Sequence, residues 1–253
     1  MIFYFTATGN SKFIAERIAA QTGDQLIDIA ECVQIGSYSY KLADGEAIGF
    51  VVPVYYYGIP IIVGDFLRKL DVAKKPYSYV VLNCGGSTAN TGGQIRRLFP
   101  IDAEFGIITV DNYVPMYKTA SDEEKQARLD KAERTIGVIS RRITERTPGV
   151  FNDCTGPFLH LVTGAVYPLY KYGRKTGKFT VNNSCTGCGL CEKICPCQAI
   201  KLEKGSPVWT VPQCEICLGC LHRAPRLRSI MGRSRRKTGV TSIRVSSFSE
   251  VFV

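Results

Sequence analysis

Apolar positions open the chain as a continuous run and not an alternation. Residues 1–5, MIFYF, form the pattern of a strand buried on both faces of a parallel sheet. A small polar loop, TATGNS, follows. In residues 12–23 Phe13, Ile14, Arg17 and Ile18 then keep helical spacing, with Gly23 placed to stop the helix. Further strand patterns lie at residues 25–30, 47–60, 77–93 and 105–115, separated by helical patterns at 59–70, 92–99 and 121–143. Such alternation predicts an α/β domain with a doubly wound parallel sheet covered by helices on both faces. Ligands of these sheets sit beyond the carboxyl ends of the strands. Four loops therefore become candidate site loops: TATGNS (6–11), PVYYYGIP (53–60), NCGGSTANTG (83–92) and DNYVP (111–115).

The first loop joins a strand to a helix N-terminus. The free N–H groups there and the hydroxyls of Thr6, Thr8 and Ser11 can converge on a phosphate, while Gly9 permits close approach of the backbone. The same residues also fit an ordinary capped strand–helix turn. In the second loop, Pro53 and Val54 lead to Tyr55, Tyr56 and Tyr57, three possible stacking faces, and Gly58 can offer a backbone group to a flat ring. Asn83, Cys84, Gly85 and Gly86 make the third loop small and rich in accessible backbone. A phosphate site beside aromatic and backbone walls suits a mononucleotide with a planar ring; a tyrosine cluster alone is equally a packing feature.

Composition changes the picture in the second half. With 45% apolar and 21% charged residues the chain is an ordinary globular protein, but it holds eleven cysteines, eight of them between Cys185 and Cys220. No basic segment followed by a long apolar stretch opens the sequence, so a cytoplasmic setting is expected, and the cysteines read as metal or redox chemistry and not as a disulfide framework. The longest apolar stretch, residues 157–170, is too short to span a bilayer and reads as a packed linker helix or a weak membrane-surface contact.

Cys185, Cys188, Cys191 and Cys195-Pro196 spell C-x2-C-x2-C-x3-C-P, the bacterial [4Fe–4S] run whose fourth cysteine ligates the other cluster of a pair. A zinc site would take two separated pairs. A second run, Cys214, Cys217 and Cys220, ends on Ala224-Pro225. By the exchange rule Cys195 completes the set of Cys214, Cys217 and Cys220. Cys185, Cys188 and Cys191 then lack a fourth ligand, for which position 224 is the expected source. Cys197 falls outside the spacing and reads as a bystander. His222 reads as a neighbour of the site and not a substitute ligand.

The net charge of +10 is concentrated beyond this point. From Arg223 to Val253 there are eight basic residues and one acidic residue, supplying +7. Two explanations stand. A shift of reading frame near the Arg223 codon allows cysteine and proline to be read where Ala224 and Pro225 stand, which accounts at once for the absent ligand, the arginine burst and the loss of a final apolar strand. Alternatively the three-cysteine site is genuine and holds a [3Fe–4S] cluster, or a [4Fe–4S] cluster with a different fourth ligand. Nucleic-acid binding by so irregular a tail is not expected.

FYFTATGNSKFIAERIA resembles the FMN phosphate loop and first helix of the flavodoxin family, and it lacks the dinucleotide G-x-G-x-x-G pattern. Followed by the two cysteine runs, it resembles the EFR1 family of flavodoxin–ferredoxin fusion proteins, typical of anaerobes. The resemblance implies a flavodoxin-like sheet of order 2-1-3-4-5 over residues 1–150, a linker helix region over 151–178, and a smaller α+β two-cluster ferredoxin-like domain over 179–225. Residues 226–253 form the atypical basic tail. It implies FMN held by Thr6, Thr8, Gly9, Asn10 and Ser11, its ring between the Pro53–Gly58 and Asn83–Gly86 segments, and two [4Fe–4S] clusters on the seven cysteines. The implied function is electron transfer with an unknown redox partner protein, no membrane span and no nucleic acid. A flavin-dependent reductase of a quinone, nitro compound or other small acceptor is the alternative. No nicotinamide fingerprint and no Ser/His/Asp set is present in a chain with two histidines.

Overall fold

The apolar runs of the sequence become the middle of a sheet. The computed structural model describes residues 1–73, 76–111, 121–181, 185–224 and 229–231. The chain divides into two compact units, the first built on Met1–Thr6, Asn10–Val110 and Ser121–Lys171 and the second on Ala7–Gly9, Asp111–Ala120 and Tyr172–Val253.

Six strands make the sheet of the first unit: β1 (Ile2–Tyr4), β2 (Leu26–Asp28), β3 (Ile48–Pro53), β4 (Ser78–Cys84), β5 (Ala103–Ile108) and β6 (Gly149–Phe151). Their order is β2-β1-β3-β4-β5-β6, and every pairing is parallel. The first five strands keep the expected 2-1-3-4-5 order, and β6 extends the sheet beside β5. The sequence pattern does not announce β6, because its three residues are half exposed and have no apolar run; they are held by backbone pairing to Ala103, Glu104 and Phe105. The central strands β3 and β4 are buried almost throughout, which is why both read as continuous Val/Ile/Leu/Phe runs.

Helices α1 (Asn10–Thr22), α2 (Ile29–Ile35), α3 (Ile61–Lys69), α4 (Thr91–Arg96), α5 (Asp122–Thr144) and α6 (Leu159–Gly173) accompany the sheet. Successive strand residues face opposite ways, so Phe3, Phe5, Phe50, Val52, Val80 and Leu82 share one cluster, together with Phe66 of α3 and Ile95 of α4. Ser121 starts α5 with a capping box: its hydroxyl accepts from the Glu124 N–H at 3.2 Å, and the Glu124 carboxylate accepts from the Ser121 N–H at 2.9 Å. Among the described residues no helix is long and apolar enough to cross a membrane.

Burial also sets an alkaline limit on this unit. The Tyr77 hydroxyl donates to the Thr147 carbonyl at 3.1 Å, and burial, reinforced by Asp102, pushes its pKa from 10.0 up to about 12. The unfolded chain therefore loses this proton first. The stabilisation is complete below pH 10 and is lost as pH rises through about 12. Allowing for its half exposure, the loss amounts to about 1 kcal/mol. Urea unfolding at stepped pH should show that decline, and Tyr77→Phe should make it shallower, Tyr4 and Tyr79 being raised by burial as well.

The second unit contains β7 (Phe179–Val181), α7 (Leu190–Lys193), a hairpin of β8 (Ile200–Glu203) and β9 (Ser206–Trp209), α8 (Gly219–His222) and β10 (Ser229–Met231). Phe179 stacks on Trp209 with centroids 5.1 Å apart. The Arg174 guanidinium pairs with the buried Glu215 carboxylate at 3.2 Å and donates to the Cys214 carbonyl at 3.1 Å, fixing the start of this unit to the second cysteine run. The segment after Ala224 was expected to lack the final strand, yet Ser229–Met231 pairs antiparallel with Phe179–Val181. Strand pairing uses backbone groups, so a short Ser-Ile-Met segment suffices whatever surrounds it. Residues 225–228 and 232–253, which hold most of the basic tail and its frame-shift reading, lie outside the described residues.

Candidate functional site

The loops at the carboxyl ends of β1, β3, β4 and β5 carry the residues singled out for a nucleotide. Gly9 is buried and has φ +108°, a conformation open to glycine and strained for other residues, and α1 starts one residue later. Thr6 and Thr8 flank it, half-buried. Asn10 and Ser11 are tied inward. The Asn10 amide donates to Thr109 Oγ1 at 3.1 Å and to the Val110 carbonyl at 2.9 Å. Asn83 Nδ2 donates to Ser11 Oγ at 3.2 Å, while Thr109 Oγ1 donates to Asn83 Oδ1 at 2.6 Å. This buried chain of bonds sets the first loop against the ends of β4 and β5. From α5, Arg128 Nη1 reaches the carbonyls of Gly85 and Thr109 at 3.4 and 3.3 Å. The loop DNYVP keeps only Asp111 within the described residues.

The tyrosine loop is a tight turn. Tyr55 and Gly58 exchange N–H···O bonds of 2.9 and 3.0 Å, with Tyr56 and Tyr57 at φ +50° and +61°. Pro53 ends β3, and the Val54 N–H bonds the Asn83 carbonyl at 2.9 Å, so the second and third loops are neighbours. Tyr56 stacks on Tyr170 of α6 at 5.7 Å, and Tyr55 meets Tyr170 edge-on at 5.9 Å. A Cβ on Gly58 would lie 2.2 Å from the Tyr167 ring, so glycine is required where α6 covers this turn. At least two of the three tyrosine rings are thus engaged in packing. Cys84 closes β4, buried, and Gly86 is exposed.

The seven cysteines of the two runs lie in the second unit. Burial raises the thiol pKa of Cys217 well above 9.0, with Cys220, Cys195 and Cys214 adding to it; Cys220 rises to about 12, from burial first and then from Cys195, Cys214 and Cys191. Cys214 is raised by burial and then by Cys195. These four sulfurs therefore share one neighbourhood. Cys191 is likewise raised by burial and then by Cys185 and Cys188, its companions in the first run, and it also acts on Cys220. Cys185, Cys188, Cys191 and Cys220 line one cavity with Leu202, Trp209 and Ala224. Backbone donors point at the sulfurs, from Ala199 to Cys195 at 3.2 Å and from Ile216 to Cys214 at 3.4 Å. The Cys197 thiol also donates to Cys195, the leading cause of the lowered pKa there. His222 closes α8.

A family model described as a flavodoxin domain matches residues 1–101, and one described as a 4Fe-4S binding domain matches residues 180–201. The chain joins a flavodoxin domain to a 4Fe-4S motif. No curated protein matches it. Among solved structures it is similar to the crystal structure of an azoreductase from Bacillus anthracis str. Sterne, at 11% identity and a TM-score of 0.30, covering 57% of this chain and 96% of the other.

Both expected groups can be set against the local chemistry. In the flavodoxin domain, the positive φ of Gly9 and the hydrogen-bonded frame of Asn10, Ser11, Asn83 and Thr109 present a fixed, glycine-hinged loop at a helix start, which suits a phosphate. In the second unit, buried cysteines whose thiolate forms repel one another, with backbone N–H groups aimed at Cys195 and Cys214, suit a positively charged iron core that removes their protons. Among the described residues no three such side chains converge as ligands of one ion. A four-iron cluster takes one thiolate per iron and spreads its ligands around a volume.

Sequence reasoning missed Thr109 and Arg128, and it read Cys197 as a bystander although that thiol bonds Cys195. Thr109 had one signal, a hydroxyl where an apolar strand ends. Arg128, inside a highly charged helix, had none. Gly187 also matters: at φ +66°, a Cβ there would lie 2.5 Å from the Gly205 carbonyl oxygen. Gly187→Ala is expected to destabilise the second unit by about 2 kcal/mol, read as a lower midpoint for thermal bleaching of cluster absorbance.

Proposed function

We propose that this chain is an electron-transfer flavo-iron–sulfur protein, a flavodoxin–ferredoxin fusion serving a separate redox protein in a thiol-reducing compartment. The observation that carries the reading is a flavodoxin domain and a 4Fe-4S motif on one chain. Thr6, Thr8, Gly9, Asn10 and Ser11 would hold the FMN phosphate. The backbone of Asn83, Cys84, Gly85 and Gly86 and the Pro53, Val54, Tyr55, Tyr56, Tyr57 and Gly58 segment would border its ring. Cys195, Cys214, Cys217 and Cys220 would hold one [4Fe–4S] cluster, and Cys185, Cys188 and Cys191 the second cluster. When bound, FMN exchanges two electrons and each cluster one, so the chain can interconvert paired and single electrons.

The protein's own contribution is electrostatic. N–H groups of Ala199 and Ile216 and the cation of Arg174 near Cys214 stabilise added negative charge and so raise the potential of the site they border. Anaerobic rapid mixing with limiting dithionite tests the reading, with flavin and cluster absorbance followed separately. Electrons should redistribute between the two chromophores before an added quinone drains them. If a Cys217→Ser variant instead reduced the quinone as fast as the parent, the protein would be a flavin reductase and the transfer reading would fail.

A further inference from the structure

Two cysteines outside the cluster runs meet at the carboxyl end of the sheet. Cys84 ends β4, and Cys154 follows β6, far apart in sequence. The Cys84 thiol donates a hydrogen bond to the Cys154 sulfur. The architecture makes room for this. Gly106 of β5 pairs with Leu82, so it shares a sheet face with Cys84 two residues on. A Cβ on Gly106 would lie 2.0 Å from Asn152 Oδ1 and 3.1 Å from the Cys154 Cβ. The missing side chain is therefore what lets the segment after β6 settle over β5. That segment is pinned: the Cys154 N–H donates to Asn152 Oδ1 at 3.0 Å, and its carbonyl accepts from the Thr88 N–H at 2.8 Å.

The two thiols are unequal. Cys84 is 5% exposed, whereas Cys154 is accessible at intermediate level. The Cys84 hydrogen bond, helped by Lys131 and opposed by burial and Asp153, brings Cys154 from 9.0 down to about 7. An accessible, acidified thiol poised beside a buried partner is the arrangement of an attacking and a resolving cysteine. Cys32 is the internal contrast: it is buried, hydrogen-bonded to Tyr40 at 3.0 Å and raised in pKa by burial.

We propose that Cys84 and Cys154 form a thiol–disulfide exchange site for low-molecular-weight disulfides, with Cys154 attacking and Cys84 resolving. The Cys154 thiolate attacks one sulfur of an external disulfide, forming a mixed disulfide and expelling one thiolate, which takes up a proton. The Cys84 sulfur then attacks Cys154 Sγ, giving its proton to solvent or to the departing group. The external thiol leaves and the internal disulfide closes. Two protein thiols are oxidised and one external disulfide is reduced to two thiols. The site lies on the Asn83–Gly86 loop, yet the proposal does not rest on the flavin reading.

The test uses the full chain as isolated, treated anaerobically with oxidised glutathione, then alkylated and mapped by peptide mass. The expected product is a peptide linking Cys84 to Cys154 with two hydrogens lost, while Cys32 stays unmodified. Before oxidation, Cys154 should alkylate at least about tenfold faster than Cys32 at neutral pH. Cys84→Ser should trap a glutathione adduct on Cys154, and Cys154→Ala should leave Cys84 unreacted. A wild-type map showing a lasting adduct on Cys154 without the internal link, or no reaction at either cysteine, overturns the proposal. That map decides even if a variant fails to fold.

Discussion

Ala224→Cys slows chelator-driven loss of iron from the chain, by at least about tenfold for the fraction that leaves first. The reasoning is positional. Ala224 lines the same cavity as Cys185, Cys188, Cys191 and Cys220, and it holds the sequence position from which the exchange rule expects a fourth thiolate. Three thiolates leave one corner of a cubane exposed to solvent or to chelator, and Cys188 is itself exposed. Supplying the cysteine closes that corner without altering the neighbouring set. The electron paramagnetic resonance of the oxidised protein should change with it, any three-iron signal being lost in favour of a diamagnetic four-iron cluster. Unchanged iron release would mean that position 224 is not directed at this cluster. Both explanations of the missing ligand, a shifted reading frame and a genuine three-cysteine site, predict the same gain from this variant.

Cys217→Ser has the opposite effect and a larger one. It should remove the cluster expected on Cys195, Cys214, Cys217 and Cys220 and unravel the second unit, while flavin binding persists. The unit's core is small: Phe179, Ala199, Ile200, Ile216, Leu218 and Leu221 are grouped with Cys195 and Cys214. A core of that size gains much of its folding free energy from its metal. Loss of about 3 kcal/mol would raise the rate of proteolytic cleavage in this unit about a hundredfold. Limited proteolysis with mass mapping would read it, with cleavages confined to residues after Tyr172. Intact resistance to protease in a cluster-free variant would contradict the account.

Much of this was legible in the sequence because the physics is local. Parallel strands buried on both faces must be apolar throughout, so β1, β3 and β4 declare themselves, and their alternation with helices leaves few topologies open. The expected grouping of cysteines rests on spacing, since three thiolates at intervals of three residues can reach three irons of one cluster. What was hidden depends on distant partners. Asn10 and Ser11 suggest phosphate donors when read alone; the fold spends part of their bonding on Thr109, Val110 and Asn83. Tyr55 and Tyr56 look like stacking faces until α6 brings Tyr170 against them. Nothing local marks Arg128 as the support of the third loop, or Gly106 as the opening that admits Cys154. Strands β6 and β10, three residues each, are held by pairing and not by pattern.

The most direct test of the central claim is a stoichiometric reductive titration of anaerobically purified protein, with flavin and iron determined per chain. The account predicts one flavin, iron in both cysteine sets, and an uptake of two electrons by flavin plus one by each cluster. Uptake of two electrons alone, with iron absent after anaerobic reconstitution, would contradict it.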